Sequence, residues 1–185
     1  MSVMAYDGRS VGGSRSVATY LAERELEESI RRFTGSVVFQ RLFQEGMQLV
    51  EETAAYLDGP GRSDSKSLER HAALAYAGES MRLTTRLMQV ASWLLVHRSI
   101  QDGEISPREA QRDKYRLGAK EVCFAPRGND MGLLPARLKD LLARSERLYD
   151  RVNRLDRDVY TTRPRLDEPH ARLTRLKQAF NLTRD

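Results

Sequence analysis

The stretch from Asp64 or Ser65 to Gln101 constrains this chain most, because it runs for about 37 residues with no proline and only one glycine, Gly78. At about 1.5 Å rise per residue it predicts a helix roughly 55 Å long. Two apolar stripes lie on it, one through Leu74, Met81, Thr85, Met88, Ala91 and Leu95, the other through Tyr76, Leu83, Leu87, Val90 and Leu94. A helix apolar on two sides must be covered on two sides, so this is the central element. A third helix or a second chain has to supply part of the cover.

The neighbouring segments read as its partners. From Ser36 to Asp58, the residues Phe39, Leu42, Phe43, Gly46, Leu49, Val50, Thr53, Ala54 and Leu57 recur at steps of three and four, which puts them on one helical face. Ser36 suits the N-cap. Gly46 costs about 1 kcal/mol of helix propensity there, so close approach of a neighbouring helix is its expected use. Asp58-Gly59-Pro60-Gly61 ends the element.

After Asp102-Gly103, the sequence Ser106-Pro107-Arg108-Glu109 is a helix-start signal for a short, polar and peripheral segment reaching about Leu117. Residues 125–130 have loop chemistry. Pro135 opens a last long helix to about Val159. In it Leu138, Ser145, Val152 and Val159 repeat every seven residues, with Leu141, Leu142, Leu148, Tyr149 and Leu155 between them. No strand-length alternation occurs. The expected fold is all-α, an antiparallel three-helix bundle over 36–159 with a long central helix and short connections.

The ends read differently. Residues 1–16 are rich in Gly and Ser and few are apolar, so 1–35 is expected as a flexible extension, with one short helix over 17–33 weakened by a polar middle. Residues 160–185 are expected as a disordered basic tail, six cations (Arg163, Arg165, Arg172, Arg175, Lys177, Arg184) against three anions (Asp167, Glu168, Asp185). Pro164 and Pro169 stop the preceding helix from continuing. Beyond them Leu173, Leu176 and Phe180 share one face, a candidate docking segment for cargo or a second adaptor.

Composition removes several functions. One cysteine, Cys123, excludes a disulfide framework or a four-ligand cysteine–histidine zinc site. No apolar run approaches the roughly 18 residues of a membrane span, and the N-terminus lacks a signal-peptide core, so a cytoplasmic setting is expected. The net charge is +5 and the pI about 9.5. The basic residues alternate with acids, as in PREAQRDKYR and RLKDLLARSER, which describes a solvated face. A basic, helical nucleoid- or DNA-associated protein is the alternative reading. The helices are too long for a helix-turn-helix, and no aromatic residues interleave with the basic ones.

Catalytic constellations are missing as well. Gly59–Ser67 is superficially like a phosphate-binding loop, but no glycine precedes Lys66, Asp64 adds negative charge, and the segment follows a helix. His71, His97 and His170 are scattered, and none lies three residues after a glutamate as in di-iron bundles. Cys123 has no histidine or basic cluster beside it and reads as packed and inert. Glu45, Glu51, Glu52 and Glu79 read as partners for arginines such as Arg41, Arg82 and Arg86. The chain is expected not to be an enzyme and to need no cofactor or metal. The candidate partner or dimer surface is the excess apolar face at Val90, Trp93, Leu94 and His97. Cover by residues 17–33 and 106–117 is the competing use of that face.

Two stretches carry a family resemblance. Glu45–Arg62 (EGMQLVEETAAYLDGPGR) and Tyr76–Leu95 (YAGESMRLTTRLMQVASWLL) closely resemble the RcdA family of alphaproteobacteria, regulators of CtrA degradation, and Leu134-Pro135-Ala136-Arg137-Leu138 is similar to the start of that family's last helix. The similarity covers about residues 36–159. It implies a cytoplasmic, non-enzymatic and usually homodimeric adaptor. Such an adaptor helps the ClpXP protease, through ClpX primed by the response regulator CpdR, to degrade cell-cycle regulators such as CtrA. Cargo is taken directly or through PopA, an adaptor that senses cyclic di-GMP.

Overall fold

A computed structural model describes residues 17–123 and 129–160. The described residues form six α-helices and three short 3-10 turns, with no strand among them. The helices are α1 (Val17–Thr34), α2 (Val37–Asp58), α3 (Pro60–Lys66), α4 (Arg70–Gln101), α5 (Lys120–Cys123) and α6 (Ala136–Tyr160). The all-α expectation therefore holds, while "three-helix bundle" describes only α2, α4 and α6. The expected docking segment at Leu173, Leu176 and Phe180 lies outside the described residues, as do residues 1–16.

Local signals place the ends of α2 as read. The Ser36 hydroxyl accepts from Phe39 N–H at 3.2 Å, and the Gly59 amide closes the helix on the Ala55 carbonyl at 3.1 Å. The next element differs: Pro60 starts the separate short helix α3, and α4 begins only at Arg70. Packing holds α3 there. The Tyr56 hydroxyl donates to Asp64 at 2.7 Å, and a side chain at Gly61 would collide with the Tyr56 backbone and the Tyr76 hydroxyl.

Cross-contacts give the directions of the long helices. Phe39 meets His97, Gly46 meets Leu94 and Val90, so α2 and α4 are antiparallel. Glu45 pairs with Arg151 and Glu52 with Arg144, so α2 and α6 are antiparallel too. Arg86 bonds Ser145, Trp93 bonds Asp156 and His97 meets Tyr160. Hence α4 and α6 run parallel. That corrects the antiparallel, short-connection expectation, since two parallel helices need a return path between them.

Residues 102–123 and 129–135 lie on that path. The Gly118 amide donates to Gln89 Oε1 at 3.0 Å, the Cys123 carbonyl accepts from Arg86 at 3.0 Å, and Tyr149 donates to the Gly118 carbonyl at 2.7 Å. The segment expected to be peripheral thus lies against the bundle, with Ala110 and Leu117 buried. Ser106 does cap, accepting from Glu109 N–H at 3.1 Å, but the elements that follow are 3-10 turns at Glu109–Gln111 and Asp113–Tyr115.

The core also extends N-terminal of residue 36. Ile30 is buried with Ile100, Ala110 and Val159, and the Phe33 ring sits 5.5 Å from Phe39 and 6.1 Å from Trp93. The last turns of α1 therefore cover the end of α4 that α2 leaves open.

Candidate protein-interaction site

Val90, Trp93, Leu94 and His97, the sequence-level candidates for a partner surface, are 0–1% exposed. Their apolar faces are used within the chain. The His97 ring stacks on Trp93 at 3.7 Å, its Nδ1 lies 2.8 Å from the Trp93 carbonyl, and Tyr160 Oη lies 3.1 Å from Nε2. Burial pushes the His97 pKa down to about 4, against smaller opposing effects of the Trp93 carbonyl and Asp156. The cover comes from Phe33 of α1, from Phe39 and Gly46 of α2 and from Asp156 and Tyr160 of α6, so residues 17–33 supply part of it. His97 is a core residue.

The other stripe of α4 is the open one. Leu74, Met81, Met88 and Leu95 are 69%, 72%, 63% and 52% exposed, and they recur every seven residues. Every exposed residue between Leu74 and Leu95 is uncharged, the rest being Ala77, Gly78, Thr84 and Ser92. In a chain with 31% charged residues, that composition sets the stripe apart from an ordinary solvated face. The spacing of four large side chains over small ones suits another helix lying along them.

This stripe is also nearly symmetric about the Thr84–Thr85 junction. Leu74 mirrors Leu95, Ala77 mirrors Ser92, Gly78 mirrors Ala91 and Met81 mirrors Met88. The signal was present in the sequence, since both stripes were visible. Periodicity does not say which stripe a neighbour covers, and the site assignment failed at that step.

Acids and bases elsewhere are structural partners. Glu52 accepts from Arg144 and Arg137, and its carboxyl lies below the usual range chiefly through the Arg144 hydrogen bond. Glu79 pairs with Arg82 at 3.3 Å. Arg86, 1% exposed, bonds Ser145 and the Cys123 carbonyl and lies 3.5 Å from Glu146. Cys123 is buried, and desolvation raises its thiol pKa. Among the described residues no group of His, Cys, Asp and Glu is arranged to hold a metal ion. No described helix is long and apolar enough to cross a membrane.

Among the described residues the fold is all-α, and α4 carries an open, uncharged seam. The sequence signature described as "Protein of unknown function (DUF1465)" matches residues 30–180. RcdA from Caulobacter crescentus CB15 is a similar solved structure, 55% identical, with the match covering 72% of this chain and 99% of that one at a TM-score of 0.59. The chain belongs to the RcdA family. No curated protein matches it.

Proposed function

We propose that this protein is a cytoplasmic, non-enzymatic adaptor of regulated proteolysis, working with ClpXP primed by a CpdR-like regulator to speed degradation of cell-cycle regulators such as CtrA. A PopA-like adaptor would extend its cargo. The 55% identity across 99% of RcdA carries this reading. An adaptor needs binding surfaces and no reaction chemistry, because tethering a weakly bound substrate beside the unfolding pore raises avidity by roughly 10² to 10⁴. The open α4 seam is a surface of the required kind.

The adaptor acts as a homodimer through that seam. Its near-mirror sequence places large residues opposite large ones when two copies of α4 cross antiparallel at Thr84–Thr85, as a two-fold interface requires. A seam from Leu74 to Leu95, about 32 Å long, buries roughly 600–800 Å² per copy, close to the ~800 Å² per partner of a specific interface.

The deciding experiment is CtrA degradation by ClpXP with CpdR present, with and without this protein. Faster CtrA loss on its addition is expected. An unchanged rate, together with failure to co-purify with ClpX, overturns the adaptor reading.

A further inference from the structure

The methionines of the described residues divide by environment. Met47 and Met131 are half-buried against the core. Met81 and Met88 are 72% and 63% exposed and stand in the middle of the open seam, with Leu74 and Leu95 at its ends. The seam therefore reads Leu, Met, Met, Leu at seven-residue steps. In the antiparallel register about Thr84–Thr85, each leucine meets a leucine of the second copy and each methionine meets a methionine. The thioethers then flank the two-fold axis in two pairs, about 10 Å apart along the helix. Leucine at both central positions would pack with better-defined rotamers. What methionine adds there is a flexible, polarizable sulfur open to oxidants.

We propose that Met81 and Met88 form a redox-sensitive switch of self-association that a hydroperoxide opens; the inference rests on the homodimer reading above. A thioether sulfur attacks one oxygen of hydrogen peroxide with a lone pair. The S–O bond forms as the O–O bond breaks, and sulfur gives up two electrons. The proton of the transferred oxygen passes to the departing hydroxide, which leaves as water, and methionine sulfoxide remains. That product carries a strong hydrogen-bond acceptor into a seam with few donors. The exposed hydroxyl between the two methionines, on Thr84, already donates to the Ser80 carbonyl at 2.9 Å. An acceptor buried without a donor weakens association by roughly 10-fold or more. Pairing covers the sulfurs, so oxidation acts on copies met singly and holds them apart. Enzymatic reduction of the sulfoxide returns the apolar side chain and with it the dimer.

The test treats dilute full-length protein with hydrogen peroxide, locates sulfoxide by peptide mass spectrometry, and measures self-association by sedimentation equilibrium. With Met81 and Met88 oxidised, dimerisation should be at least about 10-fold weaker at unchanged helicity, and methionine sulfoxide reductases should restore it. The double variant Met81→Leu with Met88→Leu keeps Met1, Met4, Met47, Met131 and Cys123. It should dimerise like the untreated protein and ignore the peroxide. Untreated protein that is monomeric at every concentration overturns the homodimer reading and this inference with it. Three outcomes overturn the redox inference while the homodimer stands: sulfurs that resist peroxide in the dilute protein, undiminished affinity with both sulfoxides present, or equal weakening in the leucine variant.

Discussion

Trp93 Nε1 donates to Asp156 Oδ1 at 2.9 Å, joining the C-terminal third of α4 to the last turns of α6. Asp156 is 1% exposed and is gripped from the other side by Arg116, through Nε at 2.9 Å and Nη2 at 2.9 Å. Arg116 in turn lies 4.3 Å over the Tyr160 ring. One carboxylate thus fastens α4, α6 and the return segment together. Its hydrogen bond holds the Arg116 pKa above the ordinary value.

Asp156→Ala removes the acceptor of a buried indole N–H and leaves a half-buried guanidinium unpaired. Breaking a buried pair in this way costs about 3–5 kcal/mol. Urea unfolding followed by circular dichroism should show that loss. Asp156→Asn, which retains an acceptor for Trp93, should lose less.

His97 makes stability depend on pH. Its folded pKa, about 4, lies below the ordinary 6.5, so between those values the unfolded chain binds more protons than the folded one. Stability therefore rises with pH across that window. A contribution of about 3 kcal/mol is complete above 6.5 and falls away as pH drops toward 4. Urea midpoints measured from pH 7 down to pH 4 should decline, and His97→Phe should flatten the slope even though it lowers the midpoint at pH 7.

Two glycines on facing helices should respond oppositely to alanine. A side chain at Gly46 would meet Leu94 Cδ1 at 2.5 Å, and Leu94 is fully buried and has little room to give. Overpacking of about 1–3 kcal/mol outweighs a propensity gain of about 1 kcal/mol, so Gly46→Ala should lower the melting temperature. Gly78 has nothing within 4 Å, and Gly78→Ala should raise it, by about 0.5–1 kcal/mol of stability.

Charge placed on the open seam tests the dimer. Met81→Glu should weaken self-association by at least about 100-fold, because it buries an unpaired carboxylate, while helicity stays unchanged since Met81 is exposed within the chain. In the antiparallel register Met81 faces Met88 of the other copy, so mixing Met81→Glu chains with Met88→Lys chains should restore dimers. Sedimentation velocity on each variant and on the mixture reads both outcomes.

Local chemistry was the most legible part of the sequence. Ser36 caps, Asp58 ends α2, Gly46 marks a close approach, and the seven-residue repeat of α6 faces inward, because each depends on residues a few positions apart. Helix directions were not legible. Nothing local in residues 102–123 shows that they run back along α4, since their anchoring contacts, Gly118 to Gln89 and Cys123 to Arg86, are with a distant helix. The polar middle of α1 likewise hid how Ile30 and Phe33 complete the core. Periodicity leaves that cover and a partner surface as competing uses of the face, so the buried stripe of α4 stands as a candidate surface in the sequence. The mirror pattern around Thr84–Thr85 needed burial to give it meaning.

The clamp at Asp156 has a mechanical side. It sits one turn before Tyr160, where the described chain ends, so tension applied along residues 161–185 meets the Tyr160–His97 contact and then the clamp. Arg116 resists through two bonds to the carboxylate and a third to the Asp156 carbonyl at 3.2 Å, and Trp93 anchors the same group to the longest helix. A fibre pulled at a reinforced end transmits load before it frays. The clamp thus ties the C-terminal end of α6 to α4 and to the return segment through one shared carboxylate.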